Sequence, residues 1–579
     1  MLKIKKETAS MDTSDGVRLD ADIYRPDSDE KFPVLLMRQP YGRAIASTVV
    51  YAHPSWYAAQ GYIAVIQDVR GRGTSQGEFE LFTHEIEDGF DAVNWASELS
   101  GSTGDVGMYG FSYQGMTQLY AAAKKPSSLK TLCPAMLAHD LYADWAYENG
   151  AFCLQANLGW AVQLAAETAR LKGDITAYQI LYTASRNLPL YDAPARFIES
   201  LHKYAPSNFY YQWLNHPHPD AYWQELSLKK IIHNIDLPML HIGGWFDPHL
   251  RGTIALYKDM ASRSQFPQHL IVGPWAHLPW GRKVGAVDYG PEAASPIDSL
   301  QVAWFNYFLK GIDSPVLNQP PVCLFEMGSN KWRYFDTFPD NNQQSYYLAS
   351  NGLASMRDDA GKLAKEPPIV SEDILVHDPW RPVPALGGHA SIPAGSFERS
   401  SIDCRSDVLT YTSEPLTEDM HLAGNIIAEI YCASDVPSFD LCALLSEVHP
   451  DGSIYNFTQG YIRVELTPSN SQDTLKKEGE ISFRSVQIPL QATCVRLAKG
   501  NCLRLSLSAA CFPAYPVNPG TGILNETGFM DARIITLTIY SGGDRPSQVL
   551  LPHFSQIKRV EELKALLSID LNLILAQLS

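Results

Sequence analysis

The stretch Asp105 to Lys125 reads D-V-G-M-Y-G-F-S-Y-Q-G-M-T-Q-L-Y-A-A-A-K-K, and its interpretation decides the fold. A short apolar run, Val106 to Phe111, meets Ser112, and a segment rich in alanine and other helix formers follows, so the pattern predicts strand, sharp turn, helix. Such a turn forces unusual backbone angles and brings the helix hard against the strand. Gly110 before the serine and Gly115 after it leave room for that approach. A hydroxyl held at this corner stands at the top of a sheet. The helix N-terminus behind it directs N–H groups at any oxyanion formed when the hydroxyl attacks a carbonyl. The other reading of Ser112 is a plain helix N-cap.

The strict elbow pattern G-x-S-x-G misses Ser112, because Gln114 holds its last position, and matches Gly73-Thr74-Ser75-Gln76-Gly77 instead. Context decides against that match. Ser75 follows the run Y-I-A-V-I-Q-D-V, but the segment after it, E-F-E-L-F-T-H-E, is not a small-residue helix packed on a strand. Ser75 reads as a loop residue.

Working outward, P-V-L-L-M-R (Pro33 to Arg38) and Y-I-A-V-I-Q-D-V (Tyr62 to Val69) are buried strands by composition. Ser55 to Gln60 between them reads as helical, and Glu85 to Leu99 carries Ile86, Phe90, Val93 and Trp95 at near-helical spacing. Alternating strand and helix predicts an α/β domain with a mainly parallel sheet, whose functional groups belong in loops at the carboxyl ends of strands. Ser112 is in such a loop, and so is Tyr41.

From about Leu141 to Ile235 tryptophans, tyrosines and helix formers recur without clear strands, which predicts a helical cap with aromatic residues lining the substrate site. The α/β pattern resumes with L-P-M-L-H-I-G-G-W-F-D and H-L-I-V-G-P-W-A-H, ending in Asp247 and His277. Taken singly, each has a bland reading as a turn or structural residue. Together, the order Ser112, Asp247, His277 is the serine, acid, histidine order of α/β-hydrolases. His277 would take the hydroxyl proton and return it to the leaving group, while Asp247 would fix its tautomer.

A chain of 579 residues with 45% hydrophobic content is expected to hold several folded domains. A net charge of −17 and the lack of a basic run argue against nucleic acid as a partner. The N-terminus has no apolar h-region and no long apolar stretch occurs, so neither export nor membrane insertion is expected and the cytoplasm is the expected location. Nine cysteines without C-x-x-C pairs read as reduced thiols. No metal-ligand, Walker or dinucleotide motif appears, so no cofactor and no metal are expected.

Gly110-Phe111-Ser112-Tyr113-Gln114-Gly115, Gln67-Asp68-Val69-Arg70-Gly71-Arg72-Gly73 and Gly273-Pro274-Trp275-Ala276-His277 resemble hallmarks of the CocE/NonD hydrolases. That group is related to α-amino acid ester hydrolases and X-Pro dipeptidyl-peptidases. The resemblance implies Ser112 as nucleophile, Asp247 and His277 as its partners, and an oxyanion hole of the Tyr113 N–H and the Tyr41 hydroxyl. It spans nearly the whole chain. Glu87 to Asp91 and Trp304 to Gly311 are similar to segments of the hydrolase part, and Asp378 to Pro382, Asp407 to Leu409 and Phe512-Pro513 to landmarks of a jelly roll.

The expected organisation is an α/β-hydrolase domain in two parts, 1–140 and 236–315, a helical cap at 141–235, a jelly-roll β-sandwich at 316–554 and an amphipathic helix at 555–579. That last helix, with apolar residues from Ile557 to Leu575 at helical spacing, docks on its own chain or on a second subunit, so a homodimer stays open. The expected activity is acyl-enzyme hydrolysis of a small carboxylic ester, with Trp145, Trp160, Phe246 and His249 as candidates for an apolar acyl pocket. The alternative substrates are α-amino acyl esters or amides and X-Pro peptides, whose ammonium needs a carboxylate. Asp144, Glu148, Asp192 and Glu292 are the candidates, read mostly as solvated surface charges. An acyltransferase or a non-catalytic binding module on the same fold are further alternatives.

Overall fold

The apolar runs of the first half become strands buried in one sheet, with a largely exposed strand, β1 (Ile4–Asp12), at its edge; the buried strands are β2 (Arg18–Pro26), β3 (Phe32–Gln39), β4 (Ile63–Asp68), β5 (Ser102–Phe111) and β6 (Leu129–Ala135). After the cap the sheet continues with β7 (Met239–Phe246), β8 (Gln268–Ala276), β9 (Val322–Glu326) and β10 (Lys331–Phe335). In the computed structural model, which describes residues 3–44, 48–190, 198–340, 343–465, 484–522 and 528–554, these ten strands run in the order β1-β2-β4-β3-β5-β6-β7-β8-β9-β10. Pairing is parallel from β4 through β9, with antiparallel β1, β2 and β10 at the edges. This is the mainly parallel sheet that the alternating pattern predicts.

Four helices matter for the site: α1 (Glu85–Ser97), α2 (Tyr113–Ala122), α3 (Leu154–Leu171) and α4 (Leu250–Arg263). Among the described residues, the regular structure of the insertion between β6 and β7 is helical apart from the short hairpin Tyr147–Glu148 and Ala151–Phe152. Its Trp145, Leu158, Trp213 and Trp223 join one apolar core with Phe82, Tyr113 and Met116 around the elbow helix. The cap is thus fixed to the nucleophile's side of the sheet by buried aromatic area, roughly 25 cal/mol per Å² removed from water.

The second half of the chain folds into an eleven-stranded sheet with a core of its own, the β-rich C-terminal domain. That core also takes in Trp245, Phe246 and Leu250 from the hydrolase part, so the two domains share buried surface. One boundary needs correction. The hydrolase sheet does not end at residue 315, because Val322–Glu326 and Lys331–Phe335 extend it beyond β8. The helix expected over 555–579 lies outside the described residues.

Candidate active site

Ser112 sits at φ 60° and ψ −126° between β5 and α2. That left-handed conformation costs a non-glycine residue about 1–3 kcal/mol, and the surroundings enforce it. A Cβ on Gly110 would lie 2.5 Å from the Gln114 Cβ, and one on Gly115 would lie 2.8 Å from the Ala135 carbonyl oxygen. The glycines are therefore dictated by the corner. Below it, the Tyr113 hydroxyl donates to Glu85 at 2.7 Å, Glu85 pairs with Arg38 at 2.5 Å, and the Tyr113 ring stacks on Phe82 at 4.6 Å. With its ring anchored, Tyr113 places its backbone N–H in the first turn of α2, where amides have no acceptor within the helix.

Asp247 and His277 meet because β7 and β8 are parallel neighbours whose ends, Phe246 and Ala276, are in register. The next residue of each strand turns toward the other. His277 Nδ1 and Asp247 Oδ1 are 2.7 Å apart, with Asp247 fully buried and the His277 side chain 27% exposed. Nδ1 donates to the carboxylate in this tautomer, which leaves Nε2 as the ring's acceptor. Asp247 Oδ2 has no hydrogen-bond partner among the described residues.

Tyr41 comes from the loop after β3, and the Gln67-to-Gly73 motif holds that loop. Asp68 accepts from Gln39 Nε2 at 2.8 Å, from the Arg43 backbone N–H at 2.7 Å and from Arg43 Nη1 at 2.5 Å. Gln39 in turn accepts the Tyr41 N–H at 2.9 Å. A Cβ on Gly73 would fall 1.9 Å from Asp68 Oδ2, which explains a glycine there. The Tyr41 hydroxyl lies near the Ser112 side chain and accepts from Trp160 Nε1 at 3.0 Å. Burial pushes its pKa up to about 12, so it remains a protonated donor at neutral pH. Ser75 is a loop residue whose hydroxyl donates to the Asp68 carbonyl at 2.8 Å.

The remaining expected residues divide. Trp145 and Trp160 lie 5.1 Å apart on the cap side, with Phe82 6.0 Å from Trp145 and Phe209 4.9 Å from Trp160. His249 is buried between Trp145 at 4.1 Å and His277 at 5.1 Å, and its Nδ1 bonds the Asp144 carbonyl at 3.0 Å. Burial lowers its pKa to about 4, so its ring is neutral. Phe246 is packed into the core shared with the β-rich domain and is not part of the cluster around Trp145.

Of the carboxylates, only Glu292 is an exposed charge, and Asp192 lies outside the described residues. Asp144 is buried and accepts the N–H groups of His139 at 3.1 Å and Asp140 at 2.7 Å. Glu148 is buried too, and holds Arg251 at 2.9 Å, His389 at 2.9 Å and Tyr515 at 2.5 Å. Burial works against its ionisation, but Arg251 and His389 outweigh it and hold the carboxyl at about 2. Reading these two as surface charges is corrected by their partners. Arg72, which lay in a quoted motif without a role, is buried with its guanidinium 3.8 Å over the Phe79 ring and donates to the Leu164 carbonyl of the cap at 3.3 Å.

Residues 15–279 match the family described as X-Pro dipeptidyl-peptidase (S15 family), and residues 315–550 match the X-Pro dipeptidyl-peptidase C-terminal non-catalytic domain. Cocaine esterase of Rhodococcus sp. (strain MB1 Bresler) is 30% identical over 93% of this chain and 96% of its own length. The fold is similar to the crystal structure of an aminopeptidase from the marine sediment archaeon Thaumarchaeota archaeon, with a TM-score of 0.79 and 22% identity over 96% of this chain and 97% of that one. It is also similar to an α-amino acid ester hydrolase, with a TM-score of 0.75 and 22% identity over 95% and 97% of the two chains. None of the described helices is long and apolar enough to cross a membrane.

Proposed function

The chain belongs to the CocE/NonD family of serine hydrolases, and we propose that Ser112, His277 and Asp247 are its catalytic triad, with Tyr41 and the Tyr113 N–H as the oxyanion hole. The observation that carries the reading is the 2.7 Å His277–Asp247 pair, with the His277 ring 5.3 Å from Phe111, the residue just before the elbow serine. Ser112 Oγ attacks the ester carbonyl while His277 Nε2 takes its proton. The tetrahedral oxyanion receives the Tyr41 O–H and the Tyr113 N–H. Collapse breaks the bond to the alcohol oxygen, and His277 protonates the departing alcohol. Water, deprotonated by the same nitrogen, then attacks the acyl-enzyme and releases the acid with Ser112 restored.

The substrate in this reading is a carboxylic ester with an apolar or aromatic acyl group. Trp145, Trp160, Phe82 and Phe209 offer aromatic surface on the cap side of Tyr41. An α-amino acyl group would need a carboxylate for its ammonium, and Asp144 and Glu148 are already committed to buried partners. Initial rates on an aryl acyl ester and an X-Pro p-nitroanilide, for wild type and Ser112→Ala, test the proposal. The expected result is ester turnover reduced on the order of 10⁶-fold in the variant, with no anilide cleavage. More than a few per cent of activity remaining in Ser112→Ala would remove Ser112 as nucleophile, and Ser112-dependent anilide cleavage would move the enzyme to the peptidase branch.

A further inference from the structure

We infer that Gln491, carried by the β-rich C-terminal domain, is a positioning residue for Asp247, so that this second domain completes the active site of the first. The inference rests on the triad assignment above. Gln491 lies on the strand Arg484–Leu497, which pairs antiparallel with Met420–Ser434. The register places Gly424 opposite Thr493 and Ile426 opposite Leu490, so Gln491 and Ala492 together face Asn425. This is a β-bulge, the device that re-aims a side chain out of a regular ladder. The neighbouring strand makes room for it, since a Cβ on Gly460 would fall 2.3 Å from the Pro489 carbonyl oxygen.

The re-aimed side chain crosses to the hydrolase domain. Gln491 is 2% exposed, and its Nε2 donates to the Trp245 carbonyl at 2.8 Å and to the Asp247 carbonyl at 3.1 Å. Both partners are carbonyls, so the amide nitrogen, the only donor of that side chain, must face them. Oε1 has no partner among the described residues. The Gln491 carbonyl is itself held by Thr458 Oγ1 at 2.6 Å.

These bonds act on the turn that aims the acid. The Asp247 carbonyl also accepts the Leu250 N–H at 3.2 Å, so the peptide after the acid is clamped between α4 and the other domain. The same domain grips the far side of the turn, where Arg251 pairs with Glu148 and Glu148 binds His389 and Tyr515. An Asp247 main chain that drifts carries Oδ1 away from the 2.7 Å bond to His277 Nδ1. Misplacement on the scale of an ångström can lower turnover by about 10²-fold without touching substrate binding.

The experiment compares wild type, Gln491→Met, which keeps length and loses the donor, and Leu375→Ala, a core truncation in the edge strand Ser371–His377 that reports generic instability of the domain. Competent sites are counted by titrating Ser112 with a fluorescent phosphonate, and kcat per titrated site, KM and Tm are measured with an aryl ester. Gln491→Met is expected to lose on the order of 10–100-fold in kcat per site, the effect of an acid displaced on the scale of an ångström, with KM unchanged within about 3-fold. Leu375→Ala is expected to lower Tm while keeping kcat per site. Retention of kcat per site within about 2-fold in Gln491→Met, or an equal loss in Leu375→Ala, overturns the inference. If Gln491→Met does not fold, Thr458→Val loosens the same clamp: a fall in kcat per site at unchanged KM supports the role, and no change overturns it. Ser112→Ala run alongside separates the two readings, because activity remaining there sinks the triad, whereas its loss beside an unaffected Gln491→Met sinks only the clamp.

Discussion

Replacing Tyr41 by phenylalanine removes one oxygen and tests the oxyanion hole most directly. Trp160 Nε1 can only donate, and it does so to the Tyr41 hydroxyl at 3.0 Å, so it occupies a lone pair of that oxygen. The hydroxyl therefore keeps its own proton to donate on the side of Ser112, which lies near it. Burial holds that proton in place at every practical assay pH, with a pKa of about 12. The loop that carries Tyr41 is fixed independently by Asp68 and Gln39, so the phenyl ring should stay where the phenol was. Loss of one preorganised donor then costs about 2.7–4 kcal/mol in the transition state, or 10²–10³ in kcat. KM should move by less than about 3-fold, because the ground-state carbonyl carries little of the charge that the hole stabilises. Trp160 Nε1 is left without its acceptor, adding a loss of about 1–3 kcal/mol in stability. Steady-state kinetics on an aryl ester, with Tm recorded in parallel, measures both. A variant that keeps a third or more of wild-type kcat would refute the reasoning, since no oxyanion role is compatible with so small a loss.

Asp68→Asn leaves the buried end of Arg43 facing a neutral amide and loosens the Tyr41 loop. Its expected signature is a Tm several degrees lower, from roughly 3 kcal/mol for breaking a buried pair, together with a kcat loss no larger than that of Tyr41→Phe; a kcat loss exceeding that of Tyr41→Phe would mean that Asp68 acts on more than the loop. His241 and His249 are buried with native pKa values of about 4, below the ordinary 6.5, so between those values the unfolded chain binds the protons that the folded one refuses. Stability is therefore full above pH 6.5 and falls as pH drops toward 4, by about 1.4 kcal/mol per pH unit for each histidine. His241→Gln should lower the slope of urea-unfolding free energy against pH between 6.5 and 5 by roughly one proton, and parallel slopes would show that His241 does not titrate there.

The parts of the site that were legible in the sequence are those fixed by short-range geometry. Gly110 reports a steric demand made by Gln114 four residues on, so the elbow can be read from the stretch that contains it, whereas the demand on Gly115 comes from Ala135 on the next strand. Asp247 and His277 were legible for a different reason: each ends an apolar run, and parallel strands deliver their ends to one edge. What was not legible depends on partners far along the chain. Glu148 looks like a surface acid until His389 and Tyr515 close on it, and neither has a local signal. Phe246 sits on a strand buried throughout, where no alternation tells which face meets the acyl pocket and which meets the β-rich domain. The boundary at 315 failed likewise, since Val322–Glu326 joins the hydrolase sheet by pairing with Leu270 to Val272, and composition does not encode that pairing.

The burial of the Asp247 carboxylate gives the arrangement a mechanistic direction. In the resting enzyme the carboxylate is fully buried, with Oδ1 bound to His277 and Oδ2 without a partner among the described residues. A charge held so dry is poorly compensated by a neutral ring. When His277 accepts the Ser112 proton, the same 2.7 Å contact becomes an ion pair in a setting of low dielectric, where attraction is strongest. The gain therefore appears in the proton-transferred states and is small in the ground state, which is the condition for an interaction to raise kcat rather than only lower KM.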